Sequence, residues 1–116
     1  MNPASVIDLP TFEALKDSMG ADFIHELVQA YLEETPQLLS KLQQALARQD
    51  CEVFRQAAHS IKSTSNSFGA LQFGALAREL EMMGREARLD GASGKVDSLV
   101  AGFATVEQAL LELSRG

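Results

Sequence analysis

His59 and Lys62 stand three residues apart in the stretch AHSIKSTSNSFGA, residues 58–70. A neutral imidazole is both a nucleophile and a proton acceptor near pH 7. An ammonium one helical turn away can meet an anion built onto the ring. Whether that pair can work together depends on where the helix around it points. On a wheel of about 100° per residue with His59 at zero, Phe68 falls near 180°, Ala57 near 160°, Ile61 near 200° and Phe54 near 220°. The apolar stripe therefore lies opposite the histidine, which excludes a histidine packed in the core. Its own side carries Glu52, Arg55, Gln56, Lys62, Ser63 and Asn66.

Three uses remain for such a histidine: a chance member of a solvated face, a metal ligand, or a nucleophile. A metal site needs a second ligand three or four residues on. Lys62 and Ser63 occupy those places, and a cation beside a metal is the wrong chemistry. The nucleophile fits Lys62, and it fits Ser63 and Asn66, which are short enough to leave the ring open. His25, the other histidine, is followed by Val28 and Gln29 at the same spacing, and reads as a structural or surface residue.

Other catalytic patterns are missing. There is no glycine-rich phosphate loop. Ser and Thr abound at 63–67, but no acidic residue is placed to orient His59 as the base of a triad. Glu33 and Glu34 are adjacent, so they point about 100° apart on a helix and make no working pair. Met82, Met83 and the phenylalanines read as core packing.

The elements that must hold this face are helices. Residues 8–19 suggest a short helix with a proline in its first turn and Gly20 as its stop. Ile24, Val28, Tyr31, Thr35, Leu38, Leu42 and Ala45 recur in steps of four and three, which predicts one helix over 21–48, kinked at Pro36. Asp50 is the expected N-cap of a helix over 51–68 that ends at Gly69. A fourth helix is expected over 70–89, burying Phe73, Leu76, Ala77, Leu80, Met83, Gly84 and Ala87. Residues 90–94 form a loop. The last helix, 95–114, buries Val96, Leu99, Val100, Phe103, Val106, Leu110 and Leu113. No alternation long enough for a strand occurs. Short loops between long helices predict an all-α, up-and-down four-helix bundle with a short additional N-terminal helix, one domain over 1–116.

Composition narrows the partners. The chain has 116 residues, 46% of them hydrophobic, and a net charge of -6. The acidity is uneven: residues 55–88 hold five Arg or Lys against three Glu, or +2. The acidic whole argues against nucleic acid, whereas the positive stretch around His59 suits an acidic protein surface. The single cysteine rules out an intramolecular disulfide and a thiolate metal cluster. The N-terminus has no signal-peptide pattern and no apolar run approaches the ~18 residues that span a bilayer, so a cytoplasmic protein is expected.

The stretch 58–70, followed by LARELEMMGREA, resembles the signature of histidine-containing phosphotransfer (Hpt) domains. That signature has an Ala-His pair, an aliphatic residue two after the histidine, a lysine three after it, small residues, and a hydrophobe-Gly-Ala close. His59, Ile61, Lys62, Phe68, Gly69 and Ala70 match those places. FIHELVQAYLEETPQLLSKLQQAL also resembles the family's long second helix. One position departs: Ser63 stands where the family usually has glycine.

The resemblance implies a phosphorelay intermediate. His59 would take a phosphoryl group from an aspartyl phosphate of one receiver domain and pass it to an aspartate of another, with Lys62 stabilising its charge. It implies response-regulator receiver domains and a hybrid sensor histidine kinase as partners of a monomer. It implies no cofactor in this chain, Mg²⁺ being supplied by the receiver, and hence a carrier rather than an enzyme. Candidate docking residues are Arg55, Gln56, Ser63, Asn66 and Gly69, with Leu15 and Met19, and also Phe12, from the first helix. A kinase dimerisation helix fits less well, since Glu or Asp typically follows its histidine and Ser60 stands here. The main alternative is a helical adaptor without phosphate chemistry.

Overall fold

The computed structural model of the protein describes residues 6–115, and five helices make up nearly all of it. Asp8 caps α1 (Leu9–Met19), its carboxylate accepting from the Thr11 amide at 3.2 Å, and Gly20 ends it with φ +94°. Only a residue without a Cβ takes that backbone conformation at little cost. The α2 helix (Ala21–Arg48) then runs unbroken through Pro36. Two side chains bracket the proline by bonding to the backbone: the Thr35 hydroxyl donates to the Tyr31 carbonyl at 2.7 Å, and the Gln37 amide to the Glu33 carbonyl at 3.2 Å. At ~1.5 Å per residue, this helix spans the whole 42 Å long axis of the molecule.

Asp50 caps α3 (Cys51–Ser67) as expected, accepting from the Val53 amide at 3.1 Å. Gly69, at φ +89°, turns the chain into α4 (Leu71–Arg85). A Cβ on Gly69 would come within 2.7 Å of the Asp8 carbonyl oxygen. The Asp8 amide donates to the Gly69 carbonyl at 2.8 Å. The start of α1 is thus tied to the α3–α4 corner.

The α4 helix stops at Arg85, short of the expected 89, and α5 (Ala92–Arg115) begins three residues earlier than expected. Ala87 adopts φ +55°, and the Arg88 amide donates to the Met83 carbonyl at 2.9 Å. This early turn drives Leu89 and Ala92 into the core. Burial of a leucine is worth ~1.5–3 kcal/mol, enough to offset the ~1–2 kcal/mol strain of one left-handed alanine. Ala87 is consequently exposed rather than on the buried face.

Sequential helices pack side by side and α5 closes against α2, so α2 to α5 form the four-helix ring, with α1 against α2 and α3. The core holds Phe54, Ile61, Leu42, Leu80, Leu99 and Leu110, all without measurable exposure. Besides Ala87, three expected core positions lie outside it: Phe23, near the start of α2, is 47% exposed, and one residue each on α4 and α5 is exposed as well. Met82 is 38% exposed and Val100 36%, because the stripes on α4 and α5 are narrower than their apolar content suggests. No described helix is long and apolar enough to cross a membrane.

Candidate functional site

The wheel reading of α3 holds: Phe54, Ala57 and Ile61 are buried, and the His59 side chain is 55% exposed. Its Nδ1 lies 2.7 Å from Oε2 of Glu81, on α4. The Lys62 ammonium, one turn further along α3, donates to Oε1 of the same carboxylate at 2.6 Å. Arg85, one turn along α4, approaches Oε2 at 3.6 Å. One buried carboxylate, 3% exposed, therefore bridges the two residues singled out by their spacing.

The expectation that no acid orients His59 is thereby corrected. The orienting acid comes from the neighbouring helix, which a wheel of α3 alone cannot display. A signal for it does exist in α4. Glu81 follows Ala77 by four residues and precedes Gly84 by three, so it lies on the stripe of small inward residues. A carboxylate there must be buried, and a buried carboxylate requires partners.

Burial by itself would raise the pKa of Glu81. The hydrogen bond from Lys62, then that from His59, and the positive charge beside them outweigh this and hold it below the ordinary carboxylate value of 4.5. An ionised carboxylate only accepts hydrogen bonds, so Nδ1 of His59 carries a proton, and in the neutral imidazole the lone pair is therefore on Nε2. The acid holds the tilt of the ring and selects the neutral tautomer in which Nε2 is the free nitrogen. Among the described residues no buried side-chain nitrogen or oxygen lacks a partner.

The remaining candidates divide. Arg55 and Gln56 both bond to Glu52 on the exposed face of α3. The Arg55 guanidinium holds the Glu52 carboxyl below its usual value. Ser63 and Asn66 are exposed on the His59 side. Gly69 is buried against Asp8, at the α3–α4 corner of the fold. On α1, Phe12 is core, Leu15 is partly buried against it, and Met19 is 44% exposed. His25 is exposed and makes no side-chain hydrogen bond in the described set. Among the described residues no group of three or more His, Cys, Asp or Glu side chains is placed to hold a metal ion.

A buried pair ties the core side of α3 to the long helix. The Tyr31 and Ser65 hydroxyls lie 2.7 Å apart, and Tyr31 stacks at a tilt on Phe68, with ring centres 4.8 Å apart. Burial pushes the Tyr31 phenol up to about 12, against the opposing hydrogen bonds with Ser65 and Thr35.

Comparison with known proteins agrees with this architecture. No curated protein matches the chain. Among solved structures, it is similar to histidine-containing phosphotransfer protein B (HptB) from Pseudomonas aeruginosa PAO1, with a TM-score of 0.88, 24% identity and 95% of each chain covered. That likeness establishes the shared fold. The sequence matches the family described as Hpt domain over residues 26–116, well over half the chain and inclusive of α3 and α4. The four-helix ring and this match together establish that the chain belongs to the Hpt domain family and serves a phosphorelay.

Proposed function

We propose that His59 is the residue that carries the phosphoryl group, and that Nε2 is the atom that accepts it. The observation that supports this most is the bond between Nδ1 and Glu81, which in the neutral ring puts the lone pair on Nε2 of a side chain that is 55% exposed. In the forward step Nε2 attacks the phosphorus of a receiver aspartyl phosphate. The N–P bond forms as the P–O bond to the aspartate breaks, and the electron pair leaves with the carboxylate. The ring becomes a phosphoimidazolium whose positive charge sits beside the Glu81 carboxylate, and its Nδ1 proton stays in that hydrogen bond. In the onward step the same atoms move in reverse order, to an aspartate of a second receiver.

This chain contributes the nucleophile, its orientation and the Lys62 ammonium. Phosphoryl transfer consists mostly of positioning and charge neutralisation. The acidic receiver pocket would hold the Mg²⁺, and the net positive stretch 55–88 is complementary to such a surface. The partners on this reading are receiver domains and a hybrid sensor kinase in the cytoplasm, and the chain is a carrier whose catalytic apparatus lies in its partner.

The test is incubation with a phosphorylated receiver domain, scoring acid-labile, base-stable label. Label on the wild type and on His25→Ala, but not on a folded His59→Ala, is the expected result. Label surviving in His59→Ala assigns the nucleophile elsewhere. A wild-type chain that binds the receiver and takes no label is an adaptor.

A further inference from the structure

Glu81 reaches two donors on a different helix, so the site depends on how closely α3 and α4 approach. Two glycines of α4 face α3. A Cβ built on Gly84 would lie 3.0 Å from each of the N, Cα and Cβ atoms of Arg55, four residues before His59. A Cβ on Gly74 would lie 2.1 Å from Oδ1 and 2.9 Å from Cγ of Asn66, four residues after Lys62. Ala77 between them is without exposure. On the α4 wheel Gly74, Ala77, Glu81 and Gly84 fall within a sector of about 80°. The face turned to α3 is thus nearly bare backbone, interrupted by one long acidic side chain.

The two glycines differ in what a methyl group would displace. Asn66 is exposed, and its amide can swing out of the way of a methyl at position 74. At position 84 the obstacle includes backbone, which no rotamer change can move. Carbon atoms rest ~3.5–4.0 Å apart, so a methyl there forces the helices apart by roughly half an ångström. The bonds to Glu81 stand at 2.6 and 2.7 Å on two donors of α3. A carboxylate drawn back from both cannot follow one donor without leaving the other.

We propose that Gly84 is a positioning residue for phosphotransfer. By leaving the backbone bare opposite Arg55, it sets the α3–α4 spacing at which Glu81 bridges His59 and Lys62 and keeps the ring in its Nδ1-protonated form. This rests on the phosphotransfer reading for its consequence, but the ring itself is read independently of any transfer.

The experiment uses the full chain with ¹⁵N-labelled histidine, as wild type, Gly84→Ala, Gly74→Ala and Gly102→Ala. Gly102 sits inside α5, where a Cβ would meet only Phe73 at 3.8 Å, and so controls for the general effect of removing a helical glycine. Ring nitrogen shifts report the His59 tautomer, and transfer rate and receiver affinity are measured alongside. Gly84→Ala is expected to give a mixed tautomer and a transfer rate about tenfold lower, with receiver affinity within about twofold of wild type. Gly74→Ala and Gly102→Ala should keep the wild-type tautomer. Wild-type ring shifts in Gly84→Ala overturn the proposal, as does an affinity loss that accounts for the whole fall in rate. If Gly84→Ala does not fold in buffer, it is folded with a stabilising osmolyte and the His59 ring is read there. A mixed tautomer in that variant supports the proposal and an unchanged ring overturns it. If the wild type takes no phosphoryl label yet the tautomer responds as described, the spacing role of Gly84 stands and the phosphotransfer reading falls.

Discussion

Nδ1 of His59 and Oε2 of Glu81 lie 2.7 Å apart, although 22 residues separate them in the chain. The other oxygen of that carboxylate is held by Lys62 at 2.6 Å. Three residues that share one hydrogen-bonded unit should not behave additively on substitution.

Glu81→Ala removes the acceptor that sets the ring tautomer. A hydrogen bond to a charged group is worth about 1.5–3 kcal/mol, so the phosphoryl-transfer rate should fall roughly 10- to 100-fold. Glu81→Gln should fall as well, because its amide can donate to Nδ1 and so favour the opposite tautomer. Transfer kinetics from one phosphorylated receiver check both variants, with circular dichroism confirming the fold. A rate near that of wild type in Glu81→Ala would mean that the ring needs no help from the second helix.

Lys62→Ala should slow transfer without abolishing it. A charge pair ~4 Å apart is worth about 1 kcal/mol in water and ~4 kcal/mol at an effective dielectric of 20. Lys62 is 24% exposed, between those limits, so the expected loss is on the order of ten- to a few hundredfold. Lys62→Arg keeps the charge and should lose less. If the alanine variant transfers within about twofold of wild type, Lys62 is only a partner for Glu81.

Acid should weaken the fold through Glu81. Its folded-state pKa lies below the ordinary 4.5, since the hydrogen bonds from Lys62 and His59 outweigh the effect of burial. A depressed carboxyl contributes stability that is present above the unfolded value and lost as the pH falls through the folded one. Unfolding free energy measured in urea should therefore decline below pH ~4.5. Glu81→Gln should show a shallower decline over the same range. Identical pH profiles for the two chains would assign the acid sensitivity to other groups.

Tyr31 and Ser65 should prove energetically coupled. Removing one hydroxyl leaves the other buried without its partner, so Tyr31→Phe and Ser65→Ala should each cost about 1–2 kcal/mol. The double variant should cost little more than either single one, a coupling of about 1 kcal/mol in a double-mutant cycle. The Tyr31 phenol is raised to about 12, chiefly by burial. Its contribution to stability is therefore present below the ordinary value of 10 and lost as the pH rises toward 12, and Tyr31→Phe should remove that alkaline loss. Strictly additive costs would show that the two hydroxyls merely lie side by side.

Much of this protein is written locally in its sequence. The 3.6-residue period marks the helices, and Asp50, Gly20 and Gly69 mark their ends, because caps and left-handed turns depend on a few neighbouring residues. The exposure of His59 opposite Phe54 and Ile61, and the place of Lys62 one turn on, follow from the same short-range geometry. The end of α4 was not legible, since Ala87 has no intrinsic reason to turn; burial of Leu89 and Ala92 against other helices imposes the turn. Phe23, Met82 and Val100 lie outside the core because an apolar side chain is inside only if another helix covers it. The role of Glu81 waited on tertiary structure for the same reason. Periodicity states which way each helix faces, but not which face meets which or how closely. Those were decided by the packing of α4 on α3, where the absent side chain of Gly84 lets a carboxylate 22 residues away orient the histidine.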